Sequence, residues 1–364
     1  VIIRQSIKGT IVSYIGLVIG TINTIWLFTY FFTTEEYGLT KLVLSFALIL
    51  LQFSKAGVTN TFNKYYPEFR CDQDSIPSFM GLYILSPVLM FLVVLAGVYV
   101  FKPSILDYYS TKSSLFIEYF NYTLFLAFFI LGVVLFETYA RSNFRIVVPG
   151  ILKNVIVRLL TTIEIILFAT NMISFPQFVF LFCANYILIF VVILFYAYRL
   201  NPFKVSFNFK KLTNVQIRTF FKYSVFLFLG STAAAFVQNI DVLMVSSMIG
   251  LEATAIYTVS FFIGTLIEMP RRQLSNISTA VIAESWSKND MANISNIYSS
   301  SSLNQLILGG GLFLVIWLNA DELFVFMPKR ELYEQGKWVI LYIGLARVVD
   351  MAAGVNSEII RNSS

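Results

Sequence analysis

The chain has 364 residues, 57% of them hydrophobic and 13% charged, and a mean hydropathy of +0.76. A soluble core of this length does not need so much apolar surface and would have to expose it. The formal net charge of +6 comes from Lys and Arg dispersed among loops, not gathered into a basic stripe, which sets nucleic-acid binding aside, and the absence of histidine excludes chemistry that depends on imidazole.

Runs long enough to cross about 30 Å of hydrocarbon predict ten membrane spans. They fall near 10–32, 40–61, 79–101, 117–139, 150–170, 177–198, 223–247, 254–279, 301–318 and 337–357. The 37 Phe and 20 Tyr suit lipid-facing helices and interfacial belts. Strict polar/apolar alternation is absent, which argues against a β-barrel. The first span is too long for a cleavable signal peptide and lacks a small-residue cleavage pattern. The fold class read from this pattern is an all-α, polytopic transmembrane helix bundle. With the N-terminus in the cytoplasm, seventeen of the 26 basic residues fall in cytoplasmic segments, six (Lys41 among them) fall outside and three fall within spans, so the expected orientation is N-terminus inside.

The longest basic loop, Arg199 to Lys222, alternates basic and aromatic residues. It reads either as a segment lying on an anionic leaflet or as a charged linker between lobes. Either way it divides the chain into a six-span N-terminal lobe (1–200), a cytoplasmic basic linker (201–222) and a second, incomplete lobe of about four spans (223–364). A weak echo between Thr34-Glu35-Glu36-Tyr37-Gly38 and Leu251-Glu252-Ala253-Thr254-Ala255, at matching points of the lobes, suggests a parallel repeat. Cys71 and Cys183 lie in a loop and inside a span, so no disulfide between them is expected.

A charge inside a span costs roughly 2.5–3.5 kcal/mol and calls for a partner or a purpose. Arg158 lies ~12 Å along the fifth span and Arg347 ~15 Å into the tenth. A guanidinium at such a site can clamp a diphosphate through paired hydrogen bonds, or be neutralised locally, as Arg347 would be by Asp350 three residues on. Lys55, Asn60 and Lys64 could line a cytoplasmic vestibule for sugar hydroxyls and phosphate; Lys55 could equally snorkel to headgroups. Asp241 (beside Gln238), Glu164 and Asp350 are candidates for binding a proton or Na⁺, with helix-packing hydrogen bonds as the alternative. Glu137 and Arg141 read as a structural i, i+4 pair, and Glu268 as a partner across the turn to Pro270-Arg271-Arg272. Pro87 is expected to kink the third span or simply to pack there. No catalytic or metal-ligating constellation is present, and no cofactor is implied.

Several stretches together carry a family likeness. Ser6-Ile7-Lys8-Gly9-Thr10 enters a span ending in Phe32-Thr33-Thr34-Glu35-Glu36-Tyr37-Gly38-Leu39. Gly57-Val58-Thr59-Asn60 and Lys64-Tyr65-Tyr66-Pro67 follow. Asp241, Met244 and Gly250 mark the seventh span, and Arg347-Val348-Val349-Asp350-Met351-Ala352-Ala353-Gly354-Val355-Asn356-Ser357 the tenth. On these the chain resembles the polysaccharide biosynthesis family of O-antigen flippase-like oligosaccharide flippases, in the multidrug/oligosaccharidyl-lipid/polysaccharide exporter superfamily. The resemblance implies two six-helix lobes, often with two further helices, so the chain is expected to be a fragment lacking the end of its second lobe. It also implies a non-enzymatic transporter that flips a polyprenyl-diphosphate-linked oligosaccharide by alternating access for surface polysaccharide such as lipopolysaccharide. The expected location is the bacterial inner membrane, and the expected partners are that lipid-linked sugar, membrane lipids and other polysaccharide assembly proteins. Two other readings stay open: a cation-coupled multidrug exporter of the same superfamily, and a membrane polymerase or glycosyltransferase acting on the same lipid-linked sugars.

Overall fold

A computed structural model describes residues 2–362 apart from 71, 73, 201, 202, 272, 273, 275–277, 279, 280, 283, 284 and 287–289. Cys71 and Arg272 therefore lie outside the described residues. Among those described, every regular element is helical. It begins with α1 (Ile2–Thr21), which continues through a π-helical segment Ile22–Leu27 into Phe28–Phe31. Next come α2 (Thr34–Lys55), α3 (Val58–Arg70), α4 (Ile76–Ser110) and α5 (Ser114–Ser142). α6 is composite, with Val147–Ile151, a π-helical segment Leu152–Ile156 and Val157–Ala169. α7 (Phe175–Leu200) and α8 (Asn214–Met248) flank the linker, and α9 (Leu251–Thr265) runs into a 3-10 turn Leu266–Glu268. α10 (Met291–Leu318), α11 (Ala320–Val325), α12 (Arg330–Tyr333), α13 (Lys337–Ala352) and α14 (Asn356–Asn362) complete the chain.

Seven described helices are long and apolar enough to cross a membrane, and eight when the bent pair Asn214–Ala233 and Ala235–Met248 is taken as one. The fifth and tenth predicted spans fall outside that count. α6 carries Lys153, Arg158 and Glu164, and α13 has only 16 residues, about 24 Å at 1.5 Å per residue. The second predicted span, 40–61, is displaced: the helix starts at Thr34 and stops at Lys55. Its start is a capping box in which Thr33 and Glu36 satisfy each other's backbone N–H groups. Its stop is a left-handed turn at Ala56 (φ 43°) and Gly57 (φ 75°), after which α3 begins. α4 runs unbroken through Pro87 and Pro103. Large exposed side chains such as Leu92, Val93, Val100 and Phe101 on α4 suit a lipid surface, and with the seven apolar helices of spanning length they make this a multi-pass membrane protein.

The fold divides into two compact units: Val1–Asn23 with Phe31–Thr254, and Thr24–Tyr30 with Ala255–Ser364. In the first, α2 and α5 form the centre, α2 packing on α5, α8 and α4, and α5 on α7. Two aromatic clusters close it. One stacks Phe62 on Tyr83 (3.8 Å between centroids) and Phe69 on Phe79 (4.2 Å), with the Tyr83 hydroxyl donating to the Leu135 carbonyl at 2.8 Å. The other stacks Phe32 on Phe168 (4.3 Å) beside Phe178. The two echo segments meet here: the Gly38 backbone lies so close to the Leu251 carbonyl that a Cβ would overlap it. In the second unit α10 packs on α13, and the Ser302 hydroxyl donates to the Ala352 carbonyl at 2.5 Å.

Candidate functional site

The first unit holds buried charge on apolar helices, and its geometry starts from two irregular turns. A π-helical segment adds a residue per turn and leaves backbone carbonyls without their regular partners, a feature frequent at functional sites. Both π-helical segments among the described residues bear on Arg158. Leu152–Ile156 delivers it, and Ile22–Leu27 supplies Asn23, whose Nδ2 donates to the Arg158 carbonyl at 2.9 Å. The Thr162 hydroxyl lies 2.8 Å from both Asn23 Oδ1 and the Arg158 carbonyl. The guanidinium of Arg158 crosses to α1 and donates to the Gly16 carbonyl. Gly20, one turn further, lets it pass, since a Cβ there would overlap the guanidinium. Arg158 is half-buried and belongs to no ion pair among the described residues. Its charge is met by a backbone dipole and not by a carboxylate.

Lys41, which sequence reasoning assigned to an outer loop, lies inside α2 with Nζ 5.2 Å from the Tyr37 ring centroid, and within electrostatic reach of Arg158. The missed signal was the capping box at Thr33 and Glu36, which starts the helix seven residues before Lys41. Glu164 sits six residues beyond Arg158 on α6, buried, facing Asn185 and Cys183 of α7. Its Oε2 and the Asn185 Nδ2 have no aligned hydrogen bond. Cys183 is a buried free thiol. The sequence thus brings Arg158, Lys41 and Glu164 into the interior of one unit.

A second cluster forms where α2, α5 and α6 approach one another. The buried Glu137 pairs with Arg141 through Oε1 and with Lys153 at 3.4 Å through Oε2, as the i, i+4 spacing predicted for Arg141. Lys55 at the end of α2 is within electrostatic reach of both Lys153 and Glu137. Asn60 is exposed on the first turn of α3, and Lys64 is exposed with Nζ 4.1 Å from the Tyr223 ring centroid. Asp241 is half-buried on α8, a different helix from Glu164.

In the second unit the expected Arg347–Asp350 pair does not form. Arg347 Nη1 lies 3.1 Å from Glu268 Oε2, and Asp350 pairs with Arg271 instead. Arg271 also approaches Glu268 at 4.0 Å, as expected across that turn, so the four residues form one network between two helices. The reason is geometric: three residues apart on α13 the two side chains share a face, and that face meets partners from 268–271 that reach them more directly. Arg158 and Arg347 belong to different units.

The family model described as Polysaccharide biosynthesis protein matches residues 6–283. No curated protein matches the sequence. Among solved structures, the chain is similar to a MATE protein in complex with MaL6 (TM-score 0.61, 12% identity, covering 99% of this chain and 85% of that one). It is equally similar to a MOP superfamily transporter from Pyrococcus furiosus whose binding pocket has reversed polarity (TM-score 0.61, 13% identity, 99% and 84%). A variant of the Vibrio cholerae MATE transporter VcmN matches with TM-score 0.60 at 11% identity over 99% and 86%. At these identities the likeness is one of fold.

Proposed function

The chain belongs to the polysaccharide biosynthesis protein family, and from that premise we propose that it flips a polyprenyl-diphosphate-linked oligosaccharide across the bacterial inner membrane by alternating access, with its N-terminus in the cytoplasm. The observation that carries this reading is Arg158. A guanidinium inside apolar helices, held by a backbone carbonyl and, among the described residues, by no carboxylate, keeps a positive charge that suits a diphosphate. Lys41 beside it raises the local potential, and Lys55, Asn60 and Lys64 serve as the polar approach for sugar and phosphate. Arg347, whose charge is met by Glu268, has a positioning role within its own unit in this reading, and Asp350, paired with Arg271, drops out as an ion-coupling group. Glu164 is the coupling carboxylate, because its unaligned Oε2 can take up a proton or Na⁺, with Asp241 second. No covalent step is needed, so the protein acts as a transporter and not as an enzyme.

The test is deletion of the gene in its native host and extraction of lipid-linked sugars. Single-repeat oligosaccharides accumulating on polyprenyl diphosphate, with loss of surface polysaccharide such as O-antigen, support the reading. Unchanged surface polysaccharide with new sensitivity to cationic dyes refutes it in favour of a drug exporter. That second reading draws on one observation, the buried Glu164 carboxylate, which could hold a cationic substrate as well as a coupling ion.

A further inference from the structure

The linker between α7 and α8 is not a loose tether. From Phe203 to Lys222 it contains five basic residues and no acidic one. Its backbone is strapped to the start of α4: the Ser206 N–H donates to the Pro77 carbonyl at 2.9 Å, and the Ser78 hydroxyl donates to the Asn208 carbonyl at 2.8 Å. The Lys211 ammonium lies 3.8 Å from Asp74, and the Ser206 carbonyl presses on the Gly81 backbone where a Cβ would overlap it. Phe203 turns inward onto Tyr139, 5.1 Å between centroids.

What the strap leaves outside is basic, apolar or neutral polar, with no carboxylate. Val205 is 40% exposed, Phe207 62%, Val215 74% and Phe221 42%. Val205 adjoins Lys204, Phe207 stands three residues from both Lys204 and Lys210, Val215 is one helical turn from Arg218, and Phe221 adjoins Lys222. Lys204, Lys210, Arg218 and Lys222 are exposed, and none of the four makes an ion pair among the described residues. On the first turns of α8, Val215, Arg218 and Lys222 share one face, and the stripe continues into the exposed Val225, Phe226 and Leu229. Basic and apolar groups on one strip, turning wholly apolar one helical turn further on, match the depth profile from headgroups into acyl chains.

We propose that Phe203–Lys222 is a fixed docking strip for anionic lipid headgroups, with Phe207 inserted at the headgroup–acyl boundary and Lys204, Lys210, Arg218 and Lys222 on the phosphates. Water is the poorer occupant, because it would leave four large apolar side chains wet. The strip matches an anionic leaflet in charge, each basic residue strengthening attachment about fivefold when the surface is anionic.

The test uses the full chain in nanodiscs, with a nitroxide on F207C in a background carrying C71A and C183A. Depth is read from the ratio of oxygen to nickel-chelate accessibility. In bilayers with about a third phosphatidylglycerol the label should report an apolar, oxygen-rich site, becoming more aqueous in pure phosphatidylcholine or when K204Q, K210Q, R218Q and K222Q are combined. As a readout that needs no cysteine replacement, backbone hydrogen exchange of 204–210 is followed in the unmodified protein. It should slow at least about fivefold in the anionic bilayer. An aqueous label in every bilayer, exchange that ignores lipid charge, or a buried label that the four Gln substitutions leave unmoved would each overturn the proposal.

Discussion

Replacing Glu268 by Gln isolates the energetics of the charged network in the second unit. Glu268 is 13% exposed at its side chain and stands between Arg347, at 3.1 Å, and Arg271, at 4.0 Å. At an effective dielectric of about 20 these separations correspond to roughly 5 and 4 kcal/mol of attraction before desolvation. Desolvation removes much of that, yet deleting the carboxylate leaves two guanidiniums, 14% and 24% exposed, of which Arg271 keeps Asp350 and Arg347 keeps no carboxylate among the described residues. The expected loss is about 3–5 kcal/mol, the range for breaking one side of a buried pair. Arg347→Gln should cost less, since Glu268 keeps Arg271, and Asp350→Asn less still, because Asp350 is 43% exposed. Unfolding in mixed detergent micelles gives the three values, and the Glu268→Gln/Arg347→Gln double variant gives their coupling. A loss below about 1 kcal/mol for Glu268→Gln, or strict additivity in the cycle, would refute the network as a stabilising unit.

Gly57→Val should be among the costliest single changes in the first unit. It forces a β-branched residue to φ 75° and drives a Cβ into the Ser224 carbonyl, for about 2–4 kcal/mol by the same unfolding measurement. Gly20→Ala meets only the movable end of Arg158, so stability should change by about 1 kcal/mol or less while the guanidinium leaves the Gly16 carbonyl. Surface polysaccharide from cells carrying Gly20→Ala should fall although the protein is present at normal levels.

Apolar period and turn chemistry made the helical architecture legible. The predicted spans find the long described helices but not all of their ends: α4 runs nine residues past 101, α8 starts nine residues before 223 and α10 ten before 301, because a helix continues beyond the hydrocarbon-length window that predicts it. At Ala56–Gly57 a left-handed turn ends a helix inside an otherwise continuous apolar run, a break that the neighbouring polar residues only hinted at. Short-range pairs were readable, as Glu137 with Arg141 shows. Long-range pairs were not: Arg347 and Asp350 have partners about eighty residues away in sequence, and no spacing rule reaches that far. The π-helical segments that bring Asn23 to Arg158 were invisible for a similar reason, since a π turn is stabilised by the packing it creates and carries little sequence signature. Arg158 itself stood out because an intramembrane charge demands an explanation, whereas Lys41 was hidden by assignment to a loop.

The most direct test of the central claim is charge-dependent function at Arg158, measured as surface polysaccharide and accumulated lipid-linked sugar in a gene-deleted host carrying variants. Arg158→Lys retains a cation and should restore surface polysaccharide in part. Arg158→Ala and Arg158→Met should leave it absent, with lipid-linked oligosaccharide accumulating, while each variant is present in the membrane at normal levels. If Arg158→Ala restores full surface polysaccharide with no accumulation, Arg158 does not bind the transported diphosphate and the account is contradicted.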